Sequence, residues 1–87
     1  MKMEPYQIIK HPLSTEKSIR LLEAENKLVF AVHPKARRKE VKEALEKMFN
    51  VKILKVNMLT NNGEKKAYVK LSPEFQAIDI ATDLGLM

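Results

Sequence analysis

The chain contains no cysteine among its 87 residues, which excludes disulfide staples and thiolate metal sites. Tryptophan is also missing, and only two tyrosines and three phenylalanines are present. A packed interior therefore has to rest on aliphatic side chains. Glycine occurs twice, and no Gly/Ser-rich linker, internal repeat or low-complexity tract is present. The longest uninterrupted apolar run, "LVFAV" at 28–32, is far short of a membrane span. "MKMEPYQIIKHP" holds no apolar stretch of signal-peptide length. The expectation is a soluble, cytoplasmic protein without membrane insertion. The length leaves room for one core, so residues 1–87 read as a single small domain.

Reactive constellations are equally scarce. There is no P-loop, no Gly-rich dinucleotide turn and no paired-histidine metal motif. His11 and His33 each stand directly before a proline and read as surface or capping residues at element ends, with RNA contact as the second reading of His11. Asp79 and Asp83 are spaced i, i+4 without a neighbouring nucleophile, which suits a solvated helix side. No enzyme activity, cofactor, metal or small-molecule substrate is expected.

What the chain does have is alternating hydrophobic patterning. "YQII" is a short apolar run that reads as a brief edge strand. "STEKSIRLLEAE" predicts a helix capped by Ser14 or Thr15, with Ile19, Leu21 and Leu22 inward. "KLVFAVH" is apolar on both faces, as in a central strand. "PKARRKEVKEALEKMFN" predicts a helix opened by Pro34 and closed by Asn50, burying Val41, Ala44, Leu45, Met48 and Phe49. "VKILKVNMLT", the tight turn "NNGE" and "KKAYVKL" form a hairpin. "SPEFQAIDIATDLG" predicts a last helix with Ser72 as cap, Pro73 at its first position and Gly85 as its stop. The order β-α-β-α-β-β-α gives an α+β fold, a mostly antiparallel four-stranded sheet with helices packed on it.

Charge is distributed unevenly. Residues 33–70 carry eleven basic and four acidic side chains, whereas residues 71–87 carry three acids and no Lys or Arg. A polyanion is the natural partner for the middle segment. Lys35, Arg37, Arg38 and Lys39 crowd the start of a predicted helix, where the dipole disfavours cations but free N–H groups favour anions. Lys52, Lys55, Asn57, Asn61, Asn62, Lys65, Lys66 and Lys70 form a second cluster on the hairpin, and Tyr68, Lys10 and His11 are further RNA-binding candidates. Lysines suit phosphate neutralisation and asparagines reach sugars or base edges. Protection of a sheet edge is the bland alternative for the hairpin lysines. Base stacking across a sheet needs several aromatics on adjacent strands, and "KKAYVKL" offers Tyr68 alone, so recognition of structured RNA by shape and backbone fits better.

"IIKHPLSTEKS", "VNMLT", "KKAYVKLS" and Ile80 placed eight residues after Ser72 carry a further signal. Across nearly its whole length the chain resembles the universal large-subunit ribosomal protein family numbered twenty-three, in its archaeal-type short form. The resemblance implies a ribonucleoprotein component of translation, bound to large-subunit rRNA beside the polypeptide exit tunnel. It also implies neighbouring ribosomal proteins as contacts, and a docking surface for the signal recognition particle or other exit-site factors. In bacterial relatives the glutamate of an "SEK" triplet is central to chaperone docking, and Glu16 in "TEK" matches it. The long basic hairpin loop of those relatives is replaced by the minimal "NNGE", which implies bracing of RNA rather than reach into the tunnel. Two other classes remain open from the residues alone. One is a basic protein-interaction or regulatory domain that does not bind RNA; the other is a small anion-processing enzyme, which lacks a phosphate-cradling loop.

Overall fold

A computed structural model describes residues 4–85, apart from the side chains of Pro5, Tyr6 and Asn61. In chain order the elements are α1 (Pro5–Ile8), β1 (Ile9–Pro12), α2 (Glu16–Glu25), β2 (Lys27–Val32), α3 (Arg38–Phe49), β3 (Ile53–Asn61), β4 (Glu64–Leu71) and α4 (Ala77–Asp83). With the four-residue α1 set aside, this is the expected β-α-β-α-β-β-α order. All strand pairs are antiparallel, and the sheet order is β1-β2-β4-β3.

Alternation along the strands decides which face is covered. Leu28, Phe30 and Val32 of β2 lie opposite Val69, Ala67 and Lys65 of β4, and Val56 of β3 lies opposite Val69. These apolar positions share one face and meet Leu22 of α2, Val41, Ala44 and Leu45 of α3, and Ile80 and Ala81 of α4 in one core. Phe30, 1% exposed, stacks on Phe49 with ring centroids 6.3 Å apart. Val29 and Ala31 point to the other face of β2 yet are also buried. Their same-face neighbours Tyr68, Lys66 and His11 and the β1–α2 connection cover them, so this strand is apolar on both sides as expected.

Three element starts differ from the sequence expectation, each for a local reason, and one side chain differs in burial. Residues 5–8 form a helical turn instead of a strand, because the N–H groups of Gln7 and Ile8 both donate to the Glu4 carbonyl. The strand begins only at Ile9, where pairing with Val32 starts. Helix α3 begins at Arg38, not Pro34, because a turn intervenes: the Ala36 N–H donates to the His33 carbonyl and the Lys35 N–H to His33 Nδ1. Met48 stays 44% exposed, outside the buried stripe of α3. Helix α4 begins at Ala77, not Pro73, since residues 72–75 close a turn through Phe75 N–H and the Ser72 carbonyl. The chain leaves α4 through Gly85 at φ 78, as anticipated.

Thr15 caps α2 as one of the two expected residues. Its hydroxyl accepts from the Ser18 N–H at 3.1 Å, and the Ser18 hydroxyl accepts from the Thr15 N–H at 2.8 Å, a reciprocal capping box. The two-residue hairpin turn has both Asn62 (φ 52) and Gly63 (φ 78) left-handed, the geometry that matches strand twist.

Asn26 is the least anticipated structural residue. It ends α2 in the left-handed conformation (φ 56), and its amide then works across the fold. Oδ1 accepts from the Ala77 N–H at 2.7 Å and so serves as the missing cap of α4, while Nδ2 donates to the Phe75 carbonyl at 2.9 Å. One side chain thus joins the α2–β2 junction to the start of α4, 51 residues away. Asn26→Gly keeps the backbone conformation and removes both hydrogen bonds. It should lower unfolding free energy by about 1–2 kcal/mol in urea titration, the scale of a lost cap plus an orphaned carbonyl. Asn26→Ala should cost more, because it adds left-handed strain.

Candidate nucleic-acid interface

The face of the sheet opposite the shared core is written in rows, because antiparallel register carries strand alternation across the strands. The first row is Lys27, Lys70 and Lys55, side by side on β2, β4 and β3. The second is Val29, Tyr68 and Asn57, and the third is His11, Ala31, Lys66 and Leu59. The one carboxylate that any strand contributes here is Glu64, at the mouth of the hairpin opposite Asn61. Tyr68 is half-buried, with Lys17 Nζ of α2 lying 6.0 Å from its ring centroid. Among the described residues it is the only aromatic that a strand places on this face.

Sheet order changes the meaning of the hairpin lysines. Strand β4 is interior, flanked by β2 and β3, so Lys66 and Lys70 do not guard an edge. Lysines directly opposite one another in a ladder repel, and Lys70 has one on each side. Lys27 is compensated by Glu25 at 3.2 Å, whereas Lys55 and Lys70 form no ion pair among the described residues.

A second basic group lies where β2 ends and the hairpin turns. A shallow cleft of about 310 Å³ is lined there by Lys10, His11, Pro34, Asn62 and Lys65, among others. Lys35 sits on the turn before α3; Arg37 is the N-cap residue, and Arg38 and Lys39 open the helix, all exposed. The expected cationic helix start is therefore divided, with Lys35 outside the helix. Arg37 carries only donors and cannot cap; the Glu40 carboxylate accepts from the Arg37 N–H at 3.0 Å. The first turn therefore lacks a side-chain cap on its own N–H groups and carries Arg37, Arg38 and Lys39 against the single carboxylate of Glu40.

Other expected positions fall elsewhere. Lys65 and Lys66 are adjacent in sequence but point to opposite faces, and the Lys65 ammonium donates to the Ala36 carbonyl at 2.8 Å. The side chain of Asn61 lies outside the described residues. Glu16 is the first residue of α2, highly exposed, and pairs with Arg20 at 2.9 Å one turn on. Lys17 and Lys27 escaped the sequence reading. Alternation of "KLVFAV" puts Lys27 in register with Val29 and Ala31, so that signal was available. Lys17 reaches Tyr68 only through tertiary packing.

The fold and charge layout define a small basic α+β protein with a lysine-bearing sheet face that the start of α2 covers only at Val29 and Tyr68. A family model described as Ribosomal protein L23 matches residues 7–80. The chain belongs to that family and is a protein of the large ribosomal subunit, a structural rather than a catalytic component. No helix among the described residues is long and apolar enough to cross a membrane.

The lysine row yields a prediction of sign. Lys70→Glu replaces two like-charge neighbours with two opposite-charge ones, and should raise unfolding free energy by roughly 0.5–1 kcal/mol. Urea titration at low ionic strength checks this, and the gain should shrink in high salt.

Proposed function

We propose that this chain binds large-subunit rRNA beside the polypeptide exit tunnel and presents a docking surface to factors that meet the emerging polypeptide. The observation that carries the reading is Lys70 on the interior strand β4, held between Lys27 and Lys55 of the neighbouring strands. At Lys70 stability is given up without an edge to protect and without an ion pair among the described residues. Phosphates are the ligand class that turns such repulsion into attraction.

In this reading Lys55, Lys66 and Lys70, with the missed Lys27, neutralise phosphates across the free sheet face, while Asn57 and Tyr68 reach sugar or base edges. Lys35, Arg37, Arg38 and Lys39 hold a second stretch of backbone at the start of α3. Lys10, His11 and Asn62 line the cleft between the two surfaces, and Asn61 remains a candidate from its position in sequence. The two-residue turn makes the hairpin a brace and gives it no reach into the tunnel. Neighbouring ribosomal proteins complete the surroundings. Glu16, exposed on α2, is the contact proposed for the signal recognition particle or another exit-site factor. The protein acts on the large subunit in the cytoplasm.

Binding to the matching rRNA domain should fall with salt by roughly 0.7–0.9 log unit per log unit of salt for each phosphate contact. Lys70→Glu should weaken that binding while the fold gains stability. Filter binding across a salt series measures it, and a flat affinity would sink the RNA reading. Glu16→Ala should leave rRNA affinity unchanged and reduce co-sedimentation of exit-site factors with large subunits. An unchanged factor load would remove Glu16 from the docking surface.

A further inference from the structure

Lys65 stands among the cations of the proposed interface, yet its own charge is already engaged. Register places it on the helix side of β4, opposite Val32 and Thr60 at the mouth of the hairpin. Its ammonium donates to two carbonyls of the β2–α3 connection, Ala36 at 2.8 Å and Pro34 at 3.3 Å. Ala36 is fully buried, so the connection is anchored at that residue, whereas Pro34, Lys35 and Arg37 on either side are exposed. Besides Lys65, this connection is held at its start, where the His33 N–H donates to the Ile8 carbonyl at 2.9 Å, and by two contacts of its own, the Ala36 N–H to the His33 carbonyl at 2.9 Å and the Lys35 N–H to His33 Nδ1 at 3.0 Å. An ammonium beside Lys35 and Arg37 is electrostatically unfavourable unless oxygens surround it, and the two carbonyls supply them. The ammonium of Lys66, one residue on, has no hydrogen-bond partner among the described residues and lies on the opposite face of the sheet.

We infer that Lys65 is a positioning residue for RNA binding: it ties the hairpin to the β2–α3 connection and fixes Lys35 and Arg37 for phosphate, and does not neutralise a phosphate itself. This rests on the RNA reading above. Adjacent lysines of one strand thereby divide the work, Lys66 meeting the ligand and Lys65 holding the segment that meets it. The two basic surfaces become one mechanically coupled unit, because a shift of the hairpin is transmitted through Lys65 to the start of α3.

The test is a double-mutant cycle on the full chain, read by rRNA affinity and by amide exchange of the free protein. Lys65→Met should weaken binding roughly three- to tenfold in the natural background, the loss expected when one or two phosphate contacts are loosened. In a Lys35→Ala/Arg37→Ala background the same change should alter affinity by less than about 1.5-fold, since the residues it positions are gone. Without RNA, exchange at the Ala36 amide should speed up about tenfold while the core amide of Val69 keeps its protection. An equal loss in both backgrounds, or unchanged Ala36 exchange, would overturn the positioning role. If the unmodified chain shows no salt-dependent RNA affinity, the RNA reading falls and this role falls with it. If that affinity is present and only the coupling is absent, this inference alone fails. Should Lys65→Met not fold, Lys65→Gln carries the same comparison, with a neutral amide in place of the ammonium.

Discussion

Everything in this fold depends on the register between β2 and β4. Pairing Leu28 with Val69 and Phe30 with Ala67 collects large apolar residues of two interior strands on one face, where three helices can cover them. The same pairing sends Lys66, Tyr68 and Lys70 to the other face. A slip of one residue would put lysines into the core and valines into water, so register is strongly specified. The core and the basic surface are consequently one decision of the chain. Neither can be altered along β4 without the other responding.

Two polar side chains then fix what the sheet leaves loose. Asn26 supplies the cap that α4 lacks and ties its start to the end of α2. Lys65 binds the carbonyls of the β2–α3 connection from the neighbouring hairpin. Each spans elements remote in sequence and satisfies backbone groups that would otherwise be unpartnered. Each also sits at an opposite end of the β2–β4 ladder, since Lys27 pairs with Lys70 next to Asn26 and Val32 pairs with Lys65. The sheet therefore holds its helices through one clamp at each end.

Local rules made much of this legible. Periodicity was enough for α2, α3 and all but the first strand, and "NNGE" announced its turn because left-handed Asn and Gly have few competitors there. The helix starts were misjudged at Pro34 and Pro73 for a shared reason. Proline suits a first helical position, but it also suits the turns that His33 and Ser72 close, and only tertiary contacts choose between them. The site divides similarly. Alternation distinguishes Lys66 from Lys65, yet strand order is not written in any one segment, and without it a lysine in a central strand looks like edge protection. Asn26 did leave a trace as an asparagine after a helix. Its reach to Ala77 left none, because the partner is a bare backbone N–H that any residue would offer.

The row of Lys27, Lys70 and Lys55 has a thermodynamic consequence. Repulsion along it is a load the native state carries only while no anion is present, because an unfolded chain spreads those charges apart. Any polyanion that settles along the row removes the load and binds the folded chain in preference to the unfolded one. Under the proposed RNA reading, folding and binding are then linked, and the free protein is the weaker of its two states. A copy that has found its anion should resist heat and proteolysis better than one that has not, with every backbone contact the same.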